Sequence, residues 1–190
     1  MSHNFLFDAS FHELLTQIDQ DLAKAIQESG CPDCAGNLHQ ANYPRSPFGL
    51  LAVFRVYYNE RLSFCCADCR KRFTPPSVRF FGRRWFVAPV FLLICLFKLG
   101  INERRIAQVK QHFGITVSKS TWKRWRRWWR ERFEQTLFWQ AKKGLVATAL
   151  GDCNHFPRAL LVCFSGPFVE RLILLLPFLS PLTGGILRTV

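Results

Sequence analysis

Acidic side chains are scarce: 13 Asp and Glu stand against 26 Lys and Arg in a chain of 190 residues. They are scarcest near the C-terminus, where Asp152 and Glu170 are the only acids after Glu134. Cutting DNA with bound metal ions needs two or three converging carboxylates, normally on a ribonuclease-H-like sheet, and the chain left after Glu134 is too short for one. No nuclease of that class is expected. Tyrosine is equally sparse: Tyr43, Tyr57 and Tyr58 all fall within the cysteine-bearing segment, which leaves no nucleophile placed for a tyrosine recombinase or nickase. His155 and Cys153, two positions apart with no orienting partner, make no nucleophile and base pair. The chain is read as a non-enzyme.

Long apolar runs are missing too. Residues 85–99, WFVAPVFLLICLFKL, fall short of the roughly 18 to 20 residues that a spanning helix needs. They read as a buried core helix. Residues 159–187 are broken by Gly166, Pro167, Glu170, Arg171, Pro177 and Pro181, so no membrane span is expected there either. The N-terminus, MSHNFLFDASFHELL, has no basic n-region, apolar h-region or small-residue cleavage site, which predicts a cytoplasmic chain. There is no internal repeat and no low-complexity tract.

What is present in excess is positive charge, a formal +13 with a pI near 9.9. Such an excess points to a polyanionic partner, nucleic acid or an anionic membrane surface. The eight cysteines are unevenly spaced, and in a reducing compartment that pattern means a metal site plus ordinary buried thiols. Cys95, Cys153 and Cys163 stand alone in apolar sequence and belong to the second kind.

The fold class predicted is α+β, mostly α: a small zinc-ribbon β module followed by a helical helix-turn-helix region. Residues 1–29 contain an amphipathic helix, with Phe11, Leu14, Leu15, Ile18, Leu22 and Ile26 on one face, Asp8 or Ser10 as cap and Gly30 as stop. His12 and Glu13 read as a solvated face. Residues 30–77 carry turn residues and four short strands, at about 38–43, 53–58, 61–66 and 72–74. A basic linker, SVRFFGRRW, opens a helical domain at 78–143, and an apolar helical tail occupies 144–190.

The cysteine spacing is the most specific signal. Cys31-Pro-Asp-Cys34 and Cys66-Ala-Asp-Cys69 are two CxxC knuckles separated by 31 residues, the layout of a zinc ribbon. Each knuckle supplies two thiolates from a tight turn, and two knuckles complete one structural Zn2+ with no open coordination position. Cys65 offers a competing spacing with Cys69, and His39 is a further candidate ligand on a predicted strand. If Cys66 is the ligand, strand alternation turns Cys65 into the small core. A redox CxxC would need a helix start in a βαβ context, which the sequence lacks.

Basic residues surround the second knuckle: Arg70, Lys71 and Arg72, then Arg79, Arg83 and Arg84 among aromatic residues. A second basic element spans about 102–134. There NERRIAQVKQHF reads as a helix with Ile106, Val109 and Phe113 inward, followed by a turn at Gly114, plugs at Ile115 and Val117, and a capping Ser118. In a recognition helix starting there, Ser118, Lys119, Ser120, Lys123 and Arg124 would lie nearest the bases, with Arg126, Arg127 and Arg130 on phosphates. Trp122, Trp125 and Trp129 form one face, read as core, and Trp128 falls partly outside it.

CPDC, CCADCRKRFTPPSVRFFGRRWF, WRRWWRERF and the tail FSGPFVERLILLLPFLSPLTGG together resemble a group of bacterial proteins with transposase-like zinc-ribbon and helix-turn-helix character, some encoded near mobile elements. The likeness covers about residues 28–185. It implies Cys31, Cys34, Cys66 and Cys69 as the matching cysteines. The group often has a longer spacer before its last cysteine than the two residues here, which keeps both Cys65 and Cys66 in view. The function expected is sequence-specific or structure-directed DNA binding at the nucleoid, as a transposase-associated or regulatory factor of a mobile element. A transposition or recombination partner is expected, and the apolar C-terminal region is a candidate homodimer surface. The rival readings are a catalytic recombination fragment and a basic membrane-surface protein.

Overall fold

The computed structural model describes residues 4–47, 51–81, 86–96, 103–104, 107, 110–111, 116–146 and 155–183. It is a mixed α+β chain dominated by helices, with small antiparallel sheets. A short 3-10 turn at Asn4–Phe7 leads into α1, Ala9–Ser29. The cap is Asp8, whose Oδ1 accepts from the Ser10 amide at 3.0 Å. Gly30 ends the helix at φ 74°, where an added Cβ would stand 3.2 Å from the Ala35 carbonyl. Only glycine meets both demands without strain. The chain can therefore turn at once into Cys31.

Helix α1 serves two cores. Phe11 and Leu15 enter the main core, while Ala23 and Ile26 pack with Leu38, Phe64 and Cys66 in a separate small cluster. That second cluster sits beneath a three-stranded antiparallel sheet of β1 (Leu38–Gln40), β4 (Phe64–Cys66) and β5 (Arg72–Phe73), in the order β1-β4-β5. Leu38 faces Cys66, His39 faces Cys65, and Cys65 faces Arg72. A smaller ladder pairs β2 (Tyr43–Pro44) with β3 (Glu60–Arg61), placing Tyr43 opposite Arg61.

Two sequence expectations fail here. Residues 53–58 are not a strand: Ala52–Tyr57 is a 3-10 helix. Strand alternation would put Phe54, Val56 and Tyr58 on one face, yet Phe54 and Tyr58 are buried while Val56 is exposed. The segment instead wraps α1, with the Phe54 ring 4.3 Å from the His12 ring centroid and Tyr57 stacked on the same imidazole at 6.0 Å. Nor is 77–81 an exposed basic linker. Ser77 to Phe81 are all buried, and β6 (Phe80–Phe81) pairs with β7 (Phe86–Val87), a run of aromatic and β-branched residues.

His12 is a third correction, since it is buried rather than solvated. Its Nε2 lies 3.0 Å from the Leu6 carbonyl and its Nδ1 2.9 Å from the Tyr58 hydroxyl. A carbonyl only accepts, so Nε2 carries the proton and Nδ1 accepts from Tyr58 in the neutral ring. Burial lowers the His12 pKa, opposed by the Leu6 carbonyl and by Asp8. A depressed histidine favours folding fully above its unfolded pKa of about 6.5, and that contribution is lost as pH falls through the window below it. Urea midpoints are thus expected to fall from about pH 6.5 downward, and less steeply for His12→Gln. An equal slope in that variant contradicts the assignment.

The polar centre of the molecule is a second buried group. Asp19 has no exposure and accepts from Val78 N at 2.6 Å, Ser77 Oγ at 2.6 Å and Arg79 Nε at 2.7 Å, while Arg79 Nη1 donates to the Tyr57 carbonyl at 2.5 Å. Arg79, grouped by sequence with the basic residues around the second knuckle, is thus a structural cation joining α1, the 3-10 helix and β6.

The main core is completed by helices. α2, Ala88–Leu96, is apolar on all sides and carries Pro89 in its first turn, where a missing amide costs nothing. This fits the buried helix expected within 85–99. α3, Lys119–Arg127, continues through a π-turn at Trp128–Arg132 and a 3-10 turn at Phe133–Gln135. Trp125, Trp129 and Phe133 succeed one another at steps of four, longer than the 3.6 residues of an α-turn. The wider π-turn takes up that surplus and keeps all three rings in the core. After α4 (Leu137–Lys142), the tail supplies α5 (Arg158–Val162) and α6 (Phe168–Leu179), which buries Leu172, Leu175, Leu176 and Leu179. Among the described residues no helix is long and apolar enough to cross a membrane.

Candidate metal centre and basic surface

The two knuckles are built alike. The Cys31 amide donates to the Gly36 carbonyl and the Cys66 amide to the Lys71 carbonyl, each at 2.9 Å and each spanning five residues. Ala35 and Arg70, each just past its second cysteine, take φ of 58° and 60°. Such left-handed residues are uncommon outside glycine, and their recurrence at one position marks the same turn twice. Between the turns, the Ala67 amide donates to the Asn37 carbonyl at 2.9 Å and Lys71 Nζ pairs with Asp33 at 2.5 Å. That ion pair is half exposed and adds little stability.

The turns bring the Sγ atoms of Cys31, Cys34, Cys66 and Cys69 within 4.8 Å of one another. Cys31 and Cys69 are 3.6 Å apart and Cys34 and Cys66 3.5 Å. A disulfide would hold them at about 2.05 Å, whereas four sulfurs about 2.3 Å from a central ion stand about 3.8 Å apart at the edges of a tetrahedron. The group can therefore hold a metal ion. The amides of Cys69 and Asp68 favour thiolate at Cys66 and, against the cost of burial, bring its pKa down to about 7. Gly36 leaves room at the sulfurs, since a Cβ there would lie 3.1 Å from Cys66 Sγ and would displace the Asp68 carboxylate.

Cys65 stands on the other face of β4, with its sulfur 3.6 Å from the Arg70 carbonyl. Phe64 and Cys66 are the residues that turn inward, so Cys65 is half-buried beside the exposed His39 and Arg72 rather than part of the small core. His39 takes no part in the four-sulfur group.

Arg70, Lys71 and Arg72 are exposed beside the second knuckle. Arg83 and Arg84 lie outside the described residues, as do Asp152, Cys153 and the residues of the expected turn and inward helix face, Ile106, Val109, Phe113, Gly114 and Ile115. Glu103, Arg104, Ala107, Lys110 and Gln111 are helical and exposed. Ser118 caps α3, accepting from the Thr121 amide at 3.1 Å. Trp122, Trp125 and Trp129 are buried as one face, and the half-buried Trp128 packs edge-on against Phe81 and Trp129. The opposite face exposes Lys119, Ser120, Lys123, Arg124, Arg126, Arg127 and Arg130. Two of these cations share Glu131, Arg127 at 3.7 Å and Arg130 at 3.0 Å, while Lys119 pairs with Glu103 at 2.8 Å.

Sequence reasoning missed the buried Asp19, His12 and Arg61. For Asp19 there was a signal: it continues the four-residue spacing of Phe11, Leu15 and Ala23 through the buried face of α1.

Comparison with protein-family models, with curated proteins and with solved structures finds no match for the chain.

Proposed function

We propose that the protein binds duplex DNA through the cationic face of α3, with the four cysteines holding one structural Zn2+ in a zinc ribbon. The observation that carries this reading is the partition of one helix: three tryptophans locked into the core on one side, and six exposed cations, Lys119, Lys123, Arg124, Arg126, Arg127 and Arg130, on the other. Because the rings fix the helix, the cations are presented as a rigid row that backbone phosphates can neutralise.

In this reading α3 is the second helix of a helix-turn-helix. Ser118, Lys119, Ser120, Lys123 and Arg124 approach base edges, and Arg126, Arg127 and Arg130 take phosphates. Arg70, Lys71 and Arg72 extend the basic surface from the ribbon. A closed four-thiolate zinc leaves no position for substrate, so its role is to hold the sheet. In the tail Leu145, Val162 and Leu174 are exposed apolar residues, and contact through them with a second copy of the chain would suit a protein that reads two half-sites. The biological role that fits is a transposase-associated or regulatory factor of a mobile element.

Fluorescence anisotropy on a labelled duplex tests this. Arg126→Gln/Arg127→Gln/Arg130→Gln is expected to weaken binding at least about tenfold while leaving the metal in place, and anionic vesicles are expected not to displace the duplex. Unchanged affinity in the triple variant, or displacement by vesicles, contradicts the reading.

A further inference from the structure

Arg61 is fully buried. Among the described residues its guanidinium has one hydrogen bond, from Nη2 to the Pro75 carbonyl, and its Nε and Nη1 have none. A buried cation left this way is costly unless another charge meets it, and buried groups lacking partners point to an ion or water that belongs at the site. Desolvation pulls the Arg61 pKa down to about 10, with Asp19 opposing, so the side chain is still charged at neutral pH. Among the described residues no carboxylate pairs with it. Asp19 gives one oxygen to Val78 N and the other to Ser77 Oγ and Arg79 Nε. Glu60, next in the chain, is exposed and accepts from Asn42 Nδ2 at 3.0 Å.

Further cations gather at the same place. Tyr43, opposite Arg61 in the β2-β3 ladder, carries the Arg45 guanidinium 4.4 Å from its ring centroid and that of Arg72 at 5.6 Å. Arg61 and Arg79 lie 5.7 and 5.3 Å from the centroid of Phe80. Two guanidiniums thus lie over the Tyr43 ring and two over the Phe80 ring, and Asp19 is the one buried carboxylate among the described residues there. Arg72 is exposed and Arg45 half-buried, so the cluster grades from a closed floor at Arg61 to an open edge.

We propose that this cluster is an oxyanion site of the phosphate class, with Arg61 as its buried anchor and Arg45 and Arg72 as arms that leave the Tyr43 ring to close over the ligand. Guanidinium groups suit this chemistry because their planar forks bind phosphate oxygens in pairs, with charge assisting each hydrogen bond. The site shares Arg72 with the basic surface proposed above but no residue with α3, and it stands whether or not α3 binds DNA. Free phosphate and the phosphates of a nucleic acid share the chemistry, and the experiment separates them.

The full, metal-loaded chain is titrated with inorganic phosphate by calorimetry and by thermal shift. Saturable binding is expected, weakened at least about tenfold in Arg45→Gln/Arg72→Gln and unchanged in Arg126→Gln/Arg127→Gln/Arg130→Gln. Arg61→Lys should keep part of the affinity and Arg61→Gln little. If Arg61→Gln does not fold, the Arg45 and Arg72 result decides alone. A second arm uses a short single strand with and without a 5′-phosphate. Preference for the phosphorylated strand assigns a terminal or free phosphate; equal binding that is lost in Arg45→Gln/Arg72→Gln assigns the backbone. The proposal is overturned if neither probe saturates, or if binding responds only to the α3 substitutions.

Discussion

Replacing Cys66 by serine is expected to empty the metal centre and unfold the β1-β4-β5 sheet. The energetics leave little alternative. The small cluster under that sheet has Ala23, Leu38 and Phe64 as its buried non-cysteine members, and fully burying a large apolar side chain is worth about 1.5–3 kcal/mol. Ordering the backbone costs about 1–2 kcal/mol per residue, so these few side chains cannot hold the two knuckles and the three short strands in place. Apparent binding energies of about 10–16 kcal/mol for structural zinc in small modules are of the size required. Cys65→Ser is the control, because its sulfur lies on the opposite face of β4. Elemental analysis should find about one metal ion per chain in the unmodified protein and in Cys65→Ser, and almost none in Cys66→Ser. Metal retained in Cys66→Ser, or lost in Cys65→Ser, contradicts the assigned ligand set.

The second large effect is expected at Asp19. Its carboxylate is unexposed and meets three donors, one of them the Arg79 guanidinium, whose side chain is 6% exposed. Asp19→Ala leaves that guanidinium buried and uncompensated, and breaking a buried pair in this way costs about 3–5 kcal/mol. Removing the cation as well, in Asp19→Ala/Arg79→Met, should recover part of the loss. Recovery stays incomplete because the Val78 amide and the Ser77 hydroxyl still lack an acceptor in the core. Chemical denaturation of the three proteins measures both steps. A loss under about 1 kcal/mol in Asp19→Ala would mean that the cluster is not the organising polar centre described here.

Both effects bear on how much of this molecule could be read from its residues. The metal group was legible because ligand spacing is local: a CxxC turn determines its own geometry, and two of them in one module have one way to share an ion. The α1 cap, the Gly30 stop, the Ser118 cap and the tryptophan face were legible for the same reason, each being a pattern within one or two helical turns. What could not be read was set at a distance. The segment 53–58 has the composition of a strand, yet Phe54 and Tyr57 are claimed by the His12 ring some forty residues earlier. Arg79 reads as one more base in a basic run until Asp19 is seen to lie across it, and His12 reads as surface until Tyr58 and Leu6 close over it. The repeated CxxC spacing favoured Cys66 over Cys65, and strand register shows why it lies inward, placing Cys66 beside Leu38 and Cys65 beside His39. Charge gave the expected class of partner and the tryptophan stripe gave the side of α3 that presents it, whereas the π-turn that carries Phe133 into the core is announced by no local spacing rule.

The most direct test of the central claim is the salt dependence of duplex affinity, measured for the metal-loaded protein and for Arg126→Gln/Arg127→Gln/Arg130→Gln. Each phosphate neutralised on B-DNA contributes about 0.9 to the slope of log affinity against log salt. The predicted result is a steep negative slope for the unmodified protein, and one shallower by about 2 to 3 in the variant, as three lost phosphate contacts require. A flat dependence, or a steep one identical in the two proteins, would show that the cationic face of α3 does not meet DNA.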